Sequence, residues 1–110
     1  MKTMNNSKIY SLLGIARKAG KITSGEFSVE TALKSRKSVL VVIAADASDN
    51  TKKKFRNMCD FREVPWFECG TRIELGQCIG CGSRSVVSIS DEGLAAAIKK
   101  QAEIVNEDRA

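Results

Sequence analysis

The stretch Val39–Ala45, VLVVIAA, decides the fold. It is unbroken apolar sequence rich in β-branched side chains, with neither the alternation of a half-exposed strand nor the spacing of a surface helix. A run this short and this apolar predicts a strand buried on both faces, which needs helices packed above and below it.

The flanks supply those helices. Upstream, Ile9, Leu12, Leu13 and Ala16 fall at i, i+3, i+4, i+7, the stripe of an amphipathic helix. Ser7 is expected to cap it and Gly20 to end it, with Arg17 and Lys18 in the last turn. Lys21-Ile22-Thr23 is a short extended piece leading to Ser24-Gly25, and a second helix over about 26–36 buries Val29, Ala32 and Leu33. Downstream, Asp46-Ala47-Ser48-Asp49-Asn50 is a turn and cap cluster. A third helix over about 50–60 buries Thr51, Phe55, Met58 and Cys59.

Val64–Cys69 reads as a second strand, with Pro65 at its start, where a missing N–H is tolerated. Thr71 caps a short fourth helix over 72–79 that Gly80 ends, and Cys81-Gly82-Ser83-Arg84 is a loop. Ser85–Ser90 is a third strand, and Asp91 caps a last helix through about Val105, burying Leu94, Ala97 and Ile98. The alternation predicts an α/β fold, a three-layer α/β/α sandwich with a central mixed sheet. One domain over residues 7–105 is expected, with flexible tails at 1–6 and 106–110.

The 110 residues carry a formal charge of +5. From Asp91 onward five acids and three bases give −2, leaving +7 on residues 1–90. A basic body of this size raises the prior for a polyanionic partner, most often nucleic acid, and charge alone leaves that reading level with an ordinary cationic surface. Histidine is absent, which removes the commonest general base and metal ligand. No apolar run approaches the length of a membrane span. Ile9–Ala16 resembles a signal peptide only superficially, because Tyr10 and Ser11 interrupt it and Arg17-Lys18 stand where cleavage belongs. A cytoplasmic location without membrane association is expected.

The cysteines form no paired metal knuckles. Only Cys78 and Cys81 have C-x-x-C spacing, and Cys78 falls at the C-terminal end of its helix, where the dipole opposes a thiolate. Cys59, Cys69 and Cys78 read better as small apolar residues, with Cys81 a loop thiol. The glycines at 76, 80 and 82 end a helix instead of opening one after a strand, so they make a poor phosphate loop. No cofactor, metal or catalytic residue is expected.

The basic and small residues before the second helix are more informative. Arg17, Lys18 and Lys21 precede Ser24-Gly25, and exposed N–H groups at a helix start bind phosphate well. The outer face of that helix holds Phe27, Ser28, Thr31 and Lys34. Phe27 lies off the apolar stripe. It either stacks on an unpaired base or folds back as a hydrophobic staple under the first helix. Lys52, Lys53, Lys54 and Arg56 oppose the dipole of the third helix, so helix stability does not explain them; a solvated face does.

Together these segments resemble the family of ribosomal proteins L-seven-Ae and L-thirty-e, in its small bacterial branch. The matching residues are Leu13-Gly14-Ile15-Ala16-Arg17-Lys18-Ala19-Gly20-Lys21, Ser24-Gly25-Glu26, and Val41-Val42-Ile43-Ala44-Ala45-Asp46-Ala47-Ser48. Asn50–Lys54, Val64-Pro65, Leu75-Gly76, Ile79-Gly80 and Ser85–Ile89 continue the match over about residues 8–100. The resemblance implies an α/β/α sandwich that binds RNA, commonly the kink-turn, a bent helix–bulge–helix with tandem G·A pairs. It implies an RNA face made of Gly25, Glu26, Phe27, Ser28 and Thr31, with Cys81, Gly82, Ser83 and Arg84 opposite. Kink-turn readers of the family carry Gly-x-Asn-Glu followed by Lys on this helix; Phe27, Ser28 and Thr31 occupy those three positions here.

The function expected is a non-catalytic RNA-binding protein of ribosomal type, with structured RNA and ribosomal proteins as partners. The alternative is a ribosome-associated protein–protein module on the same fold, which exposure of Phe27 and Trp66 would favour.

Overall fold

A computed structural model describes the backbone of residues 6–109 and the side chains of 6–104. The described elements run α1 (Ser7–Lys18), β1 (Ile22–Ser24), α2 (Glu26–Lys34), β2 (Leu40–Ile43), α3 (Asp49–Arg62), β3 (Trp66–Glu68), α4 (Arg72–Cys78), β4 (Val86–Ile89) and α5 (Glu92–Arg109). The strands form one mixed sheet in the order β1-β4-β2-β3. β4 runs antiparallel to both β1 and β2, while β3 runs parallel to β2 after the α3 crossover.

The middle of the decisive apolar run, Leu40–Ile43, is β2 and wholly buried, while Val39 is half-buried and Ala45 exposed outside the strand; β4 is buried throughout beside it. α1 packs on α5 and α4, and α2 packs on α3 and across β1 and β4, giving the α/β/α layers expected. Leu13, Leu33, Phe55, Leu75 and Ile98 carry the helices onto the sheet with no measurable exposure beyond 1%. Each such side chain contributes about 1.5–3 kcal/mol. Ser88 is the one hydroxyl in the middle of this core strand, and it is satisfied by donating to the buried Ser38 Oγ at 2.6 Å.

Several boundaries differ from expectation. Ser7 is the first helical residue of α1 and Asn6 precedes it as the cap position. Ile22–Ser24 is a true edge strand, registered on Ile89, Ser88 and Val87. Three residues carry too little alternation to announce a strand whose partner lies far along the chain. α3 starts one residue early because Ser48 caps it, its Oγ accepting from Thr51 N–H at 3.1 Å. Met58 is only half-buried there, whereas Thr51, Phe55 and Cys59 are buried. The capping box at Thr71 and Glu74 starts α4 where expected.

In α5, Asp91 caps by accepting from Leu94 N–H at 2.8 Å. Its buried stripe is Ala95, Ile98 and Ala102, with Leu94 and Ala97 half-buried. Three consecutive alanines leave the stripe's phase undetermined by sequence alone. The helix continues to Arg109, past the expected end at Val105. The expected N-terminal tail, apart from Asn6, and Ala110 lie outside the described residues. None of the described helices is long and apolar enough to cross a membrane.

Candidate nucleic-acid interface

The turn from β1 into α2 is built by Gly25, whose φ of 92° and ψ of 154° favour a residue without Cβ. Its N–H donates to Val86 O at 3.0 Å, fixing the start of α2 against the start of β4. No side chain caps α2. The N–H groups of its first turn are therefore left for an external acceptor. Glu26 is held away from them: Ser48 Oγ donates to Thr51 Oγ1, which donates to the Glu26 carboxylate at 3.1 Å.

The loop that faces this turn is positioned by close backbone packing. α4 ends at Cys78, Gly80 reverses the chain at φ 72°, and Cys81 N–H donates to Gly76 O at 2.8 Å. A Cβ at Gly76 would collide with the carbonyl of Gly82. The glycine spacing is thus a helix stop and a close-packing site, and not a phosphate loop. Arg84 N–H donates to Arg72 O at 2.9 Å, and Arg84 Nε donates to Ser24 Oγ at 3.0 Å. That side-chain bond joins the loop to the β1–α2 turn. Gly82 and Ser83 are left exposed between them.

Phe27 stands on the first turn of α2 with 84% of its surface exposed. It does not staple α1. Ser28 and Thr31 are exposed on the same helix, and the Thr31 hydroxyl donates to Phe27 O at 3.0 Å, leaving its lone pairs outward. Ser24, Gly25, Phe27, Ser28, Thr31 and the 81–84 loop therefore share one end of the sheet.

The cations divide. Lys21 O accepts from Ser90 N–H at 3.0 Å, at the opposite end of β1 from Gly25, while Lys21 N–H donates to Ala16 O at the end of α1. Four residues of extended chain separate the two positions by about 13 Å. Lys18 and Lys21 are exposed, and the Lys21 backbone stands at that far end rather than at the α2 start. Lys34 is also set apart: Glu30 takes it at 2.9 Å and Lys54 at 2.8 Å, and these two ammonium groups hold the Glu30 carboxyl down at about 2. Lys52 pairs with Glu68 at 3.4 Å, so two cations of the α3 run tie that helix to its neighbours.

Arg17 belongs to the basic cluster read from the sequence but not to the RNA face expected there. Its Nη1 reaches Cys81 Sγ at 3.5 Å, placing a guanidinium against the loop. Its position one turn before Gly20 was the available signal. Of the thiols, burial pushes Cys59 up to about 12 and Cys78 up to about 11.

Trp66 is half-buried, its indole N–H donating to Asp60 at 2.9 Å, and so offers no free aromatic face comparable to Phe27.

Comparison with known proteins agrees with this architecture. The model of the "Ribosomal protein L7Ae/L30e/S12e/Gadd45 family" matches residues 7–99. Two bacterial proteins named "RNA-binding protein YlxQ" are similar. The one from Enterococcus faecium is 38% identical over 105 residues, 96% of this chain and 98% of that protein. The one from Bacillus subtilis (strain 168) is 37% identical over 92 residues, 84% of this chain and 92% of that protein. Among solved structures, a protein of unknown function from Bacillus halodurans superposes with a TM-score of 0.82 at 32% identity, covering 90% of this chain and 97% of that one. The Giardia lamblia 15.5kD RNA binding protein shares the fold at a TM-score of 0.78 and 21% identity, covering 96% and 92% of the two chains. With the family model matched over residues 7–99 and a relative 38% identical over 96% of the chain, this chain is a member of the ribosomal protein L7Ae/L30e/S12e/Gadd45 family.

Proposed function

We propose that the chain is a non-catalytic RNA-binding protein that recognises structured, kink-turn-like RNA in a cytoplasmic ribosomal or other ribonucleoprotein setting. The observation that carries this reading is the Arg84–Ser24 bond, which makes the 81–84 loop and the uncapped start of α2 one continuous surface. The two curated relatives bear the name RNA-binding protein, which supports RNA as the partner class.

A phosphate fits the first-turn N–H groups after Gly25, where backbone donors and helix dipole act together. Arg17 and Arg84 supply charge beside it, and Lys18 and Lys21 offer cations for a second phosphate. Phe27 offers a ring face to an unpaired base, a contact that tolerates any base. Ser28 and Thr31 present hydroxyls where the family's kink-turn readers carry Glu and Lys, so recognition here rests on shape and stacking more than on base-edge pairing. Lys34 contributes only after release from Glu30.

The test is the footprint. Kink-turn RNA added to isotope-labelled protein is expected to shift amides 24–31 and 81–84 first. Shifts confined to other faces would overturn the reading. A protein partner on the same surface is the second reading, favoured by the exposed Phe27 alone.

A further inference from the structure

At the other pole of the sheet lies a groove of about 750 Å³ that the RNA face does not use. The strand register fixes the separation. Gly25 bonds Val86, which pairs with Ile43, whereas the groove is lined by Ser38 and Val39, just before Leu40 at the far end of β2. Its walls are the C-terminal ends of α2 and α3 and the first turns of α5. Its volume lies within the range of small-molecule sites, about 300–1,000 Å³.

The lining is chemically specific. Phe61 is 81% exposed, and the Arg62 guanidinium lies 5.7 Å from its ring centroid. The ring is therefore largely open to solvent with a cation beside it. Arg36 and Lys99 add two further cations, and neither has an ion-pair partner among the described residues. Glu63 and Glu92 bring carboxylates to the same walls, and Leu33 and Val64 supply the apolar floor.

The backbone adds an independent observation. Arg36 and Glu63 are the two non-glycine residues with positive φ among the described residues, at 62° and 57°. Both stand at helix C-termini, where glycine is the residue that costs least. Both line this groove. Side chains are thus kept at two positions where the backbone alone favours none.

We infer that this groove is a nucleotide site, separate from the RNA face. The base stacks on the exposed ring of Phe61, Arg36 and Lys99 hold the phosphate, and Glu63 or Glu92 accepts from ribose hydroxyls or base amino groups. The same chemistry is offered by a free mononucleotide and by one nucleotide of a single strand. The inference does not rest on the proposed function, because its residues and its readout are distinct from those of the α2 face.

The experiment titrates the labelled 110-residue chain with adenosine monophosphate and, separately, with a single-stranded adenosine octamer, following backbone amides. Shifts at 36, 61–63 and 92–99 are expected with at least one of the two. An octamer binding tenfold or more tighter identifies an RNA strand as the source, and equal binding identifies a free nucleotide. Phe61→Ala is expected to weaken binding at least tenfold while kink-turn affinity stays within twofold. Arg36→Gly relieves a left-handed backbone and so keeps the fold, and it is expected to weaken binding several-fold. No shift in the groove at millimolar ligand, or unchanged affinity in Phe61→Ala, overturns the inference. Shifts confined to 24–31 and 81–84 overturn it too, while leaving the RNA face intact.

Discussion

Replacing Gly76 by alanine separates tertiary packing from local propensity, because the two predict opposite signs. Gly76 lies inside α4, where alanine is favoured over glycine by about 1 kcal/mol. Propensity alone therefore predicts a more stable protein. The structure predicts the reverse, since the new methyl group lies inside van der Waals contact of the Gly82 carbonyl, whereas carbon atoms pack at about 3.5 Å or more. A backbone carbonyl cannot rotate aside, so the 81–84 loop has to move as a unit. Overpacking of this kind costs about 1–3 kcal/mol. Losing the Cys81 N–H to Gly76 O bond adds about 1 kcal/mol. After the propensity gain, a net loss of about 1–3 kcal/mol is expected, a fall in Tm of roughly 4–12 °C at this chain length. Urea melts with unchanged m give the value directly. RNA affinity measured well below the melting range is expected to fall as well, because the displaced loop carries Arg84 away from Ser24. A stabilised Gly76→Ala protein with full RNA binding would refute the packing argument.

Phe27→Ala is expected to leave the urea midpoint within about 0.5 kcal/mol, because the ring is exposed. It should weaken RNA binding by about 1–3 kcal/mol, read by fluorescence anisotropy as roughly a 5- to 150-fold rise in Kd. The Glu30 carboxyl, lowered from 4.5 to about 2 by Lys54 and Lys34, is ionised in the folded chain where the unfolded chain is already protonated. Its contribution to stability is present above pH 4.5 and lost as pH falls towards 2, so Glu30→Gln should flatten acid unfolding in that window. Burial raises the Cys59 and Cys78 thiols to about 12 and about 11, so iodoacetamide at pH 8 should alkylate them far more slowly in native than in unfolded protein, as mass spectrometry of peptides would show.

Much of the architecture is legible in the sequence because burial on both faces leaves one reading for Val39–Ala45. The caps at Thr71 and Asp91 are legible because capping is local chemistry, whereas the polar run 46–50 offers several caps and Ser48 is singled out only by its bond to Thr51. β1 is less so, since three residues gain strand identity only from their pairing with β4. The phase of α5 is hidden by Ala95-Ala96-Ala97, whose equal side chains define no face.

At the interface, spacing brings the α2 start and the 81–84 loop to attention, but three features depend on distance through space. The exposure of Phe27 depends on where α1 ends. The separation of Lys21 from Gly25 depends on the intervening residues being extended. The arrival of Lys54 at Glu30 depends on how α3 packs beside α2. None of these is written in neighbouring letters.

The central claim is that the α2 turn and the 81–84 loop read a bent RNA by shape. Its most direct test is the affinity for a kink-turn, its G·A-disrupted control and a plain duplex, measured from 50 to 200 mM salt. Kink-turn binding at least tenfold tighter than either control at every salt concentration is predicted. With about four phosphate contacts, kink-turn affinity itself should fall about a hundredfold across the series. Equal affinity for all three RNAs, or no binding at 50 mM salt, would contradict the account.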